Sequence, residues 1–204
     1  MAPIHNIHNL SATVEHRLET AIKAFDSGDK SKELFDEFID LIDKGSLEAN
    51  YYVGCMYEDG TNGAKQNPEH AFFYYKKTVD ELGYLEGYLA LARLYYRGSG
   101  VPQNYAEAFR YYFHVAQKKN HPVACFMLGR IYQYGTGEVK DLLAARSWYL
   151  RAIAQGNVYG MINLAMLEAE EGHLLQSLLL RVKAGLSAFF ISLKNRHDPR
   201  MRGG

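Results

Sequence analysis

Arginine binds a carboxylate through two parallel N–H···O bonds, and tyrosine offers a broad ring with one polar tip. Both are enriched where one protein grips another. This chain sets Arg93 and Arg130 about 37 residues apart, a repeat-like spacing. Tyr96 and Arg97 follow the first arginine, and Gln133 and Tyr134 stand at the matching places after the second. Glu58 occupies the Tyr96/Gln133 place one unit earlier, with Cys55 in the arginine column. The column ends in Met166, and Ala169 ends the one beside it. These residues predict a surface for an acidic or aromatic segment of a protein or peptide.

The other residues able to do chemistry lack the company that chemistry needs. Gly98-Ser99-Gly100 and Gly135-Thr136-Gly137 resemble pieces of a phosphate-binding loop, but neither continues into Gly-Lys-Ser/Thr. They read as turns. His5 and His8 have a metal-ligand spacing without a third ligand, and they sit in a terminus expected to fray. Asp36, Glu37, Asp40 and Asp43 form an acidic helix face, expected to be solvated. Cys55 and Cys125 have no histidine partner by spacing and are expected to be inert thiols. Neither a catalytic residue, nor a metal site, nor a cofactor is predicted.

The elements that would position the arginines are written three times. Residues 49–60, 87–98 and 124–135 share one pattern, and each is followed by a second block at 71–75, 108–112 or 145–149. Self-similarity at a period of about 37 residues signals stacked supersecondary units. In the first block, apolar and small residues recur at helical spacing: Gly87, Leu91, Ala92, Leu94 and Tyr95, then Ala124, Leu128, Gly129, Ile131 and Tyr132. Asn67, Asn104 and Asp141 each stand four residues before the alanine of the second block, as helix N-caps do. Pro68 suits a first helical position. Each unit is helix A, a glycine-bearing loop and helix B. Small residues hold two columns, 49/87/124/160 and 54/92/129/165. Glycine within a helix costs about 1 kcal/mol against alanine, so its recurrence predicts close approach of a neighbouring helix.

These residues resemble the Sel-one-like repeat family, a branch of the tetratricopeptide-like α-solenoids. The third copy carries the resemblance best, through Ala124, Leu128, Gly129, Tyr132, Gly135 and Gly137, then Asp141, Ala145, Trp148, Tyr149, Ala152 and Gly156. The second matches at Leu91, Tyr95, Gly98, Gly100, Val101, Ala108, Tyr112 and Ala116. The first matches at Ala49, Gly54, Tyr57, Gly60, Ala71 and Tyr75, with one extra loop residue. The resemblance implies an all-α solenoid of about five antiparallel helix hairpins, with helix A lining a concave face. It places Glu58, Arg93, Tyr96, Arg97, Arg130, Gln133 and Tyr134 on that face.

The flanks depart from the pattern. Residues 12–45 read as an αα-hairpin that caps the N-terminal end, after a disordered segment at 1–11. Three repeats span 46–156. Residues 157–194 read as a degenerate fourth repeat ending in a long helix, and 195–204 as a basic flexible tail. From Leu174 onward six basic residues face one acid, Asp198; with the whole chain neutral, the preceding residues carry a net −5. Leu175, Leu178, Leu179, Val182, Leu186, Phe189, Phe190 and Leu193 form an apolar stripe along that helix. The first expectation is a cap that buries the stripe on the last repeat. Two alternatives stay open: docking onto a partner or second copy through Arg181, Lys183, Phe189, Phe190 and Lys194, and lying on an anionic membrane.

Hydrophobic residues make up 48% of the chain and charged residues 23%, enough for a core and a soluble surface. Zero net charge argues against a nucleic-acid binder. Neither a signal peptide nor a membrane-spanning run is visible. Two cysteines placed two repeats apart predict free thiols and a reducing cytoplasm. The function expected is a non-enzymatic adaptor or scaffold. An immunity protein or effector chaperone that neutralises one toxin is the alternative, and a groove hydrolase a second. Partner identity and oligomeric state are left open.

Overall fold

The computed structural model describes residues 11–196, with side chains to residue 190. His5 and His8, the side chain of Lys194, and most of the basic tail lie outside them. Ten helices and no strand occur among the described residues. They are α1 (Ala12–Asp26), α2 (Lys32–Asp43), α3 (Ala49–Asp59), α4 (Pro68–Leu82), α5 (Leu85–Arg97), α6 (Tyr105–Lys119), α7 (Pro122–Tyr134), α8 (Leu142–Ala154), α9 (Val158–Glu170) and α10 (Leu174–Arg196). The fold is an all-α helical repeat of the solenoid class. It comprises two compact units, residues 1–108 and 109–204.

Local chemistry sets the helix ends. Asn67 Oδ1 accepts from the backbone N–H groups of Glu69 and His70, Asn104 Oδ1 from Glu107, and Asp141 Oδ1 from Leu143 and Ala144. Each satisfies donors that have no partner inside their own helix. The helix A ends at Gly60, Gly98 and Gly135 turn left-handed, with φ near +68°, where a Cβ would be strained.

In the first unit α1 to α5 pack each on the next. The core runs through Val14, Leu18, Leu34, Phe38, Leu41, Val53 and Met56, with Phe38 stacked on Tyr52 at 5.0 Å between ring centroids. The N-terminal hairpin therefore shares a core with the first repeat. Arg17 reaches from α1 to Glu37 (2.9 and 2.7 Å) and Asp40 (2.7 Å) on α2. Half of the acidic face expected to be solvated is thus tied to a neighbouring helix. The extended loop of the first repeat also has a use. Buried Asn62 donates from Nδ2 to the carbonyls of Asp29 (3.0 Å) and Ser31 (2.9 Å), pinning that loop to the α1–α2 turn.

In the second unit α7, α8, α9 and α10 follow the same plan, and Phe109 and Phe113 of α6 meet Tyr132 and Trp148 edge-on. The last helix corrects an expectation. It packs on α9 through Ser177, Ala184 and half-buried Leu180, which are mostly small residues. Leu174, Leu175, Leu178, Leu179, Val182, Leu186, Phe189 and Phe190 are each more than half exposed. The stripe that was expected to bury itself on the last repeat faces outward instead. The small side chains let the α10 backbone come close to α9, which the bulky face would prevent.

Candidate functional site

Each unit builds a polar cluster where helix A meets helix B. In the first unit Gly54 of α3 leaves its place to the Tyr75 ring: a Cβ there would lie 2.7 Å from two ring carbons. The fully buried ring carries its hydroxyl to Glu58, one turn further along α3, where it donates to Oε2 at 2.8 Å. From α5, Arg93 closes on the same carboxylate with two bonds, Nε to Oε1 at 2.9 Å and Nη2 to Oε2 at 2.5 Å. Burial alone would raise the Glu58 carboxyl, but the bonds and charge of Arg93 and the Tyr75 hydroxyl outweigh it and hold it below the usual carboxylate range.

That shift has a consequence for acid stability. An acid with a depressed value in the fold stabilises it above its unfolded value, about pH 4.3 for glutamate, and loses that contribution as pH falls through the folded value. We expect the first unit to weaken below roughly pH 4, and Glu58→Gln to flatten the steepest part of that fall. Urea denaturation followed by tyrosine near-ultraviolet dichroism over a pH series measures it.

Cys55 lies in the same cluster. Burial pushes its thiol up, and hydrogen bonding to Tyr75 and Tyr51 only partly offsets this. A thiol raised in this way is a poor nucleophile at neutral pH. Cys125 is buried and its thiol is raised for the same first reason. Both cysteines are free.

The second unit repeats the arrangement with a neutral acceptor. A Cβ on Gly129 would lie 2.5 Å from two carbons of the Tyr149 ring, and the Tyr149 hydroxyl donates to Gln133 Oε1 at 2.6 Å. Gln133 is 2% exposed. The expectation that Gln133 lines an open face is therefore corrected: it is the packing acceptor for the helix B tyrosine. Glu58 has the same part in its own unit, and Arg93 is spent on Glu58.

The remaining predicted residues keep accessible surface. In the first unit Arg97 is exposed and half-buried Tyr96 meets Tyr105 edge-on at 5.2 Å. In the second, half-buried Arg130 lies 6.0 Å from the ring of Tyr134, which is half exposed. Arg181, Lys183, Phe189 and Phe190 are exposed along α10.

One cluster escaped the reading of residues. Glu168 stands where the other repeats carry the tyrosine that closes helix A, and its side chain is buried. Arg146 of α8 pairs with both Glu168 and Glu171, and His173 Nδ1 lies 2.9 Å from Glu168 Oε2. The donor atoms of Glu168, Glu171 and His173 lie within 4.8 Å of one another, a spacing that a cation could use. Arg146 already pairs with both carboxylates, so each has a cationic partner without an ion. Beside it an open groove of about 340 Å³ is lined by Leu150, Leu164, Gln176, Leu179, Leu180 and Lys183 as well as Arg146 and Glu168. The signal was the break in the tyrosine column, which alone did not point to Arg146.

The Sel1 repeat matches the chain at residues 47–81, 85–113 and 122–157. No curated protein matches it in sequence. Among solved structures it is similar to a Sel1 repeat protein from Oxalobacter formigenes (TM-score 0.73, 23% identity), over 83% of this chain and 69% of that one. It is also similar to a protective antigen of uropathogenic Escherichia coli displaying an SLR fold (TM-score 0.69, 25% identity), over 82% of this chain but only 37% of that one. An immunity protein from Pseudomonas aeruginosa shares the fold at TM-score 0.53 and 21% identity, over 91% of this chain and 71% of that protein.

Proposed function

We propose that this chain, which belongs to the Sel1 repeat family, is a scaffold that holds a protein or peptide partner without turning it over. Sel1 repeat proteins are generally protein-interaction scaffolds, and that supplies the class. The observation that carries the finer reading is a division of labour within the repeats. Glu58, Arg93 and Gln133 bond within their own units, whereas Arg97, Arg130, Tyr96 and Tyr134 keep accessible surface beside them. We assign the second set to partner contacts made by each unit for itself, Tyr96 and Arg97 in the first and Arg130 and Tyr134 in the second, with acidic groups for the arginines or aromatic ones for the rings. The clusters that could do acid–base or nucleophilic work spend their charges internally or hold protonated thiols, which supports a binding role. Two free thiols fit a cytoplasmic setting. Among the described residues no helix is long and apolar enough to cross a membrane.

The pairing of Arg93 with Glu58 also changes the test. Reversing Arg93 would set two carboxylates together and unfold the cluster, so it cannot report on binding. Arg97→Glu, Arg130→Glu and Tyr134→Ala leave those bonds intact. We expect a partner captured from lysate by the wild type, and identified by mass spectrometry, to be lost at least tenfold with the triple variant while its dichroism is unchanged. Equal capture by both proteins removes these residues from the site.

A second reading has one observation in its favour, the fold shared with an immunity protein. Neutralisation of one cognate toxin predicts a tight one-to-one complex, whereas a general scaffold captures several proteins with weaker hold. The stoichiometry of the captured material separates the two.

A further inference from the structure

The last helix carries a broad apolar arc that has no neighbour among the described residues. At 100° per residue, Leu174, Leu178, Phe189, Val182, Leu175, Leu186, Leu179 and Phe190 sweep an arc of about 160°. Ser177, Leu180, Ala184 and Ser187 occupy the opposite arc, which faces α9. Along the axis the outer arc runs for about 24 Å. Phe190 is 65% exposed and Leu175 71%. Eight large apolar side chains this open make a patch beyond the few hundred Å² that soluble monomers usually show.

Charge narrows what can cover it. Arg181 and Lys183 fall at the two edges of the arc, so the apolar surface has a cation on each margin. No acidic residue occurs between Leu174 and His197, and Lys194, Arg196, Arg200 and Arg202 follow in the sequence. A second copy laid face to face would bring like charges to the same seam. A single partner helix covers only a narrow seam, as in a coiled coil, less than this arc spans. A flat apolar layer under an anionic surface meets both demands. The leucines and phenylalanines enter the boundary of headgroups and acyl chains, and the long cationic side chains reach outward to the phosphates.

We propose that the outward face of α10 docks in the plane of an anionic lipid bilayer, with the rest of the second unit standing above it. This does not depend on the helix A residues assigned to a protein partner. The test is co-sedimentation of the full chain with vesicles of phosphatidylcholine alone and of phosphatidylcholine mixed with phosphatidylserine.

Binding to the mixed vesicles, weakened by salt and absent from the neutral ones, is expected. Leu178→Glu with Leu186→Glu should abolish it, both sites being more than half exposed and tolerant of charge in the free protein. Arg181→Gln and Lys183→Gln, which leave the apolar face whole, should each weaken it about fivefold, as expected for one cation near such a surface. Absence of binding to the mixed vesicles overturns the proposal. So does binding that neither variant pair changes. A dimer in sedimentation velocity that Leu178→Glu dissolves, without lipid binding, assigns the face to a second copy and overturns it as well.

Discussion

Gly129→Val lowers the stability of the second unit by about 2–3 kcal/mol, through overpacking that the helix pair cannot relieve. The new Cβ would start 2.5 Å from Cδ1 and Cε1 of Tyr149. A flexible side chain could swing aside, but this ring is fully buried, its hydroxyl is bonded to Gln133, and Phe126 packs near it. The intrinsic helix preference of valine over glycine amounts to a few tenths of a kcal/mol and works the other way. The clash therefore decides the sign. Trp148, the chain's single tryptophan, adjoins the strained ring, so its emission reports the unfolding of this unit. The expected shift in melting temperature is roughly 10–20 °C downward. Gly185→Ala is the control, because nothing lies within 4 Å of its added carbon. It should gain up to about 1 kcal/mol from helix preference alone. An unchanged midpoint for Gly129→Val would refute the close approach of α7 and α8 at that residue.

Glu168→Ala costs the same unit about 2–3 kcal/mol, because it removes the anion and leaves the partly buried Arg146 with one partner fewer. The Glu168 side chain is 4% exposed and that of Arg146 28%. Arg146 keeps Glu171, which holds the loss below that of a fully buried pair. A comparison of two variants separates charge from packing. Glu168→Gln retains the shape and one acceptor and should lose less than Glu168→Ala. Arg146→Met with Glu168→Leu removes both charges, and apolar replacement of a buried pair is often close to neutral. If the double variant is as unstable as Glu168→Ala, the stranded-charge account fails.

The repeat geometry was legible because each of its parts is a local or periodic property. Caps at Asn67, Asn104 and Asp141 follow from side-chain oxygen beside orphan N–H groups, and the structure has those bonds. The small-residue columns pointed to close helix approach, and Gly54 and Gly129 lie against Tyr75 and Tyr149. The column beside them was harder. Glu58 and Gln133 are polar and belong to the column beside the one that holds Arg93 and Arg130, so sequence reads them as surface. A tyrosine 17 or 16 residues further on delivers a hydroxyl to each, and this turns them into packing residues. Which of two adjacent polar residues receives that hydroxyl depends on helix rotation, which period alone leaves free.

Sequence by itself determined the helix pairs, their caps, the repeat phase and the class of protein. Those depend on spacing along one chain. Tertiary structure alone decided which polar residues are spent and which face of the last helix is open. Arg93 could have pointed to solvent until α3 and α5 brought Glu58 to it. The leucines of α10 form as good a buried stripe in sequence as any in the protein. Ser177 and Ala184 won the contact with α9 because small residues permit the closer approach, and that left the bulky face without a neighbour.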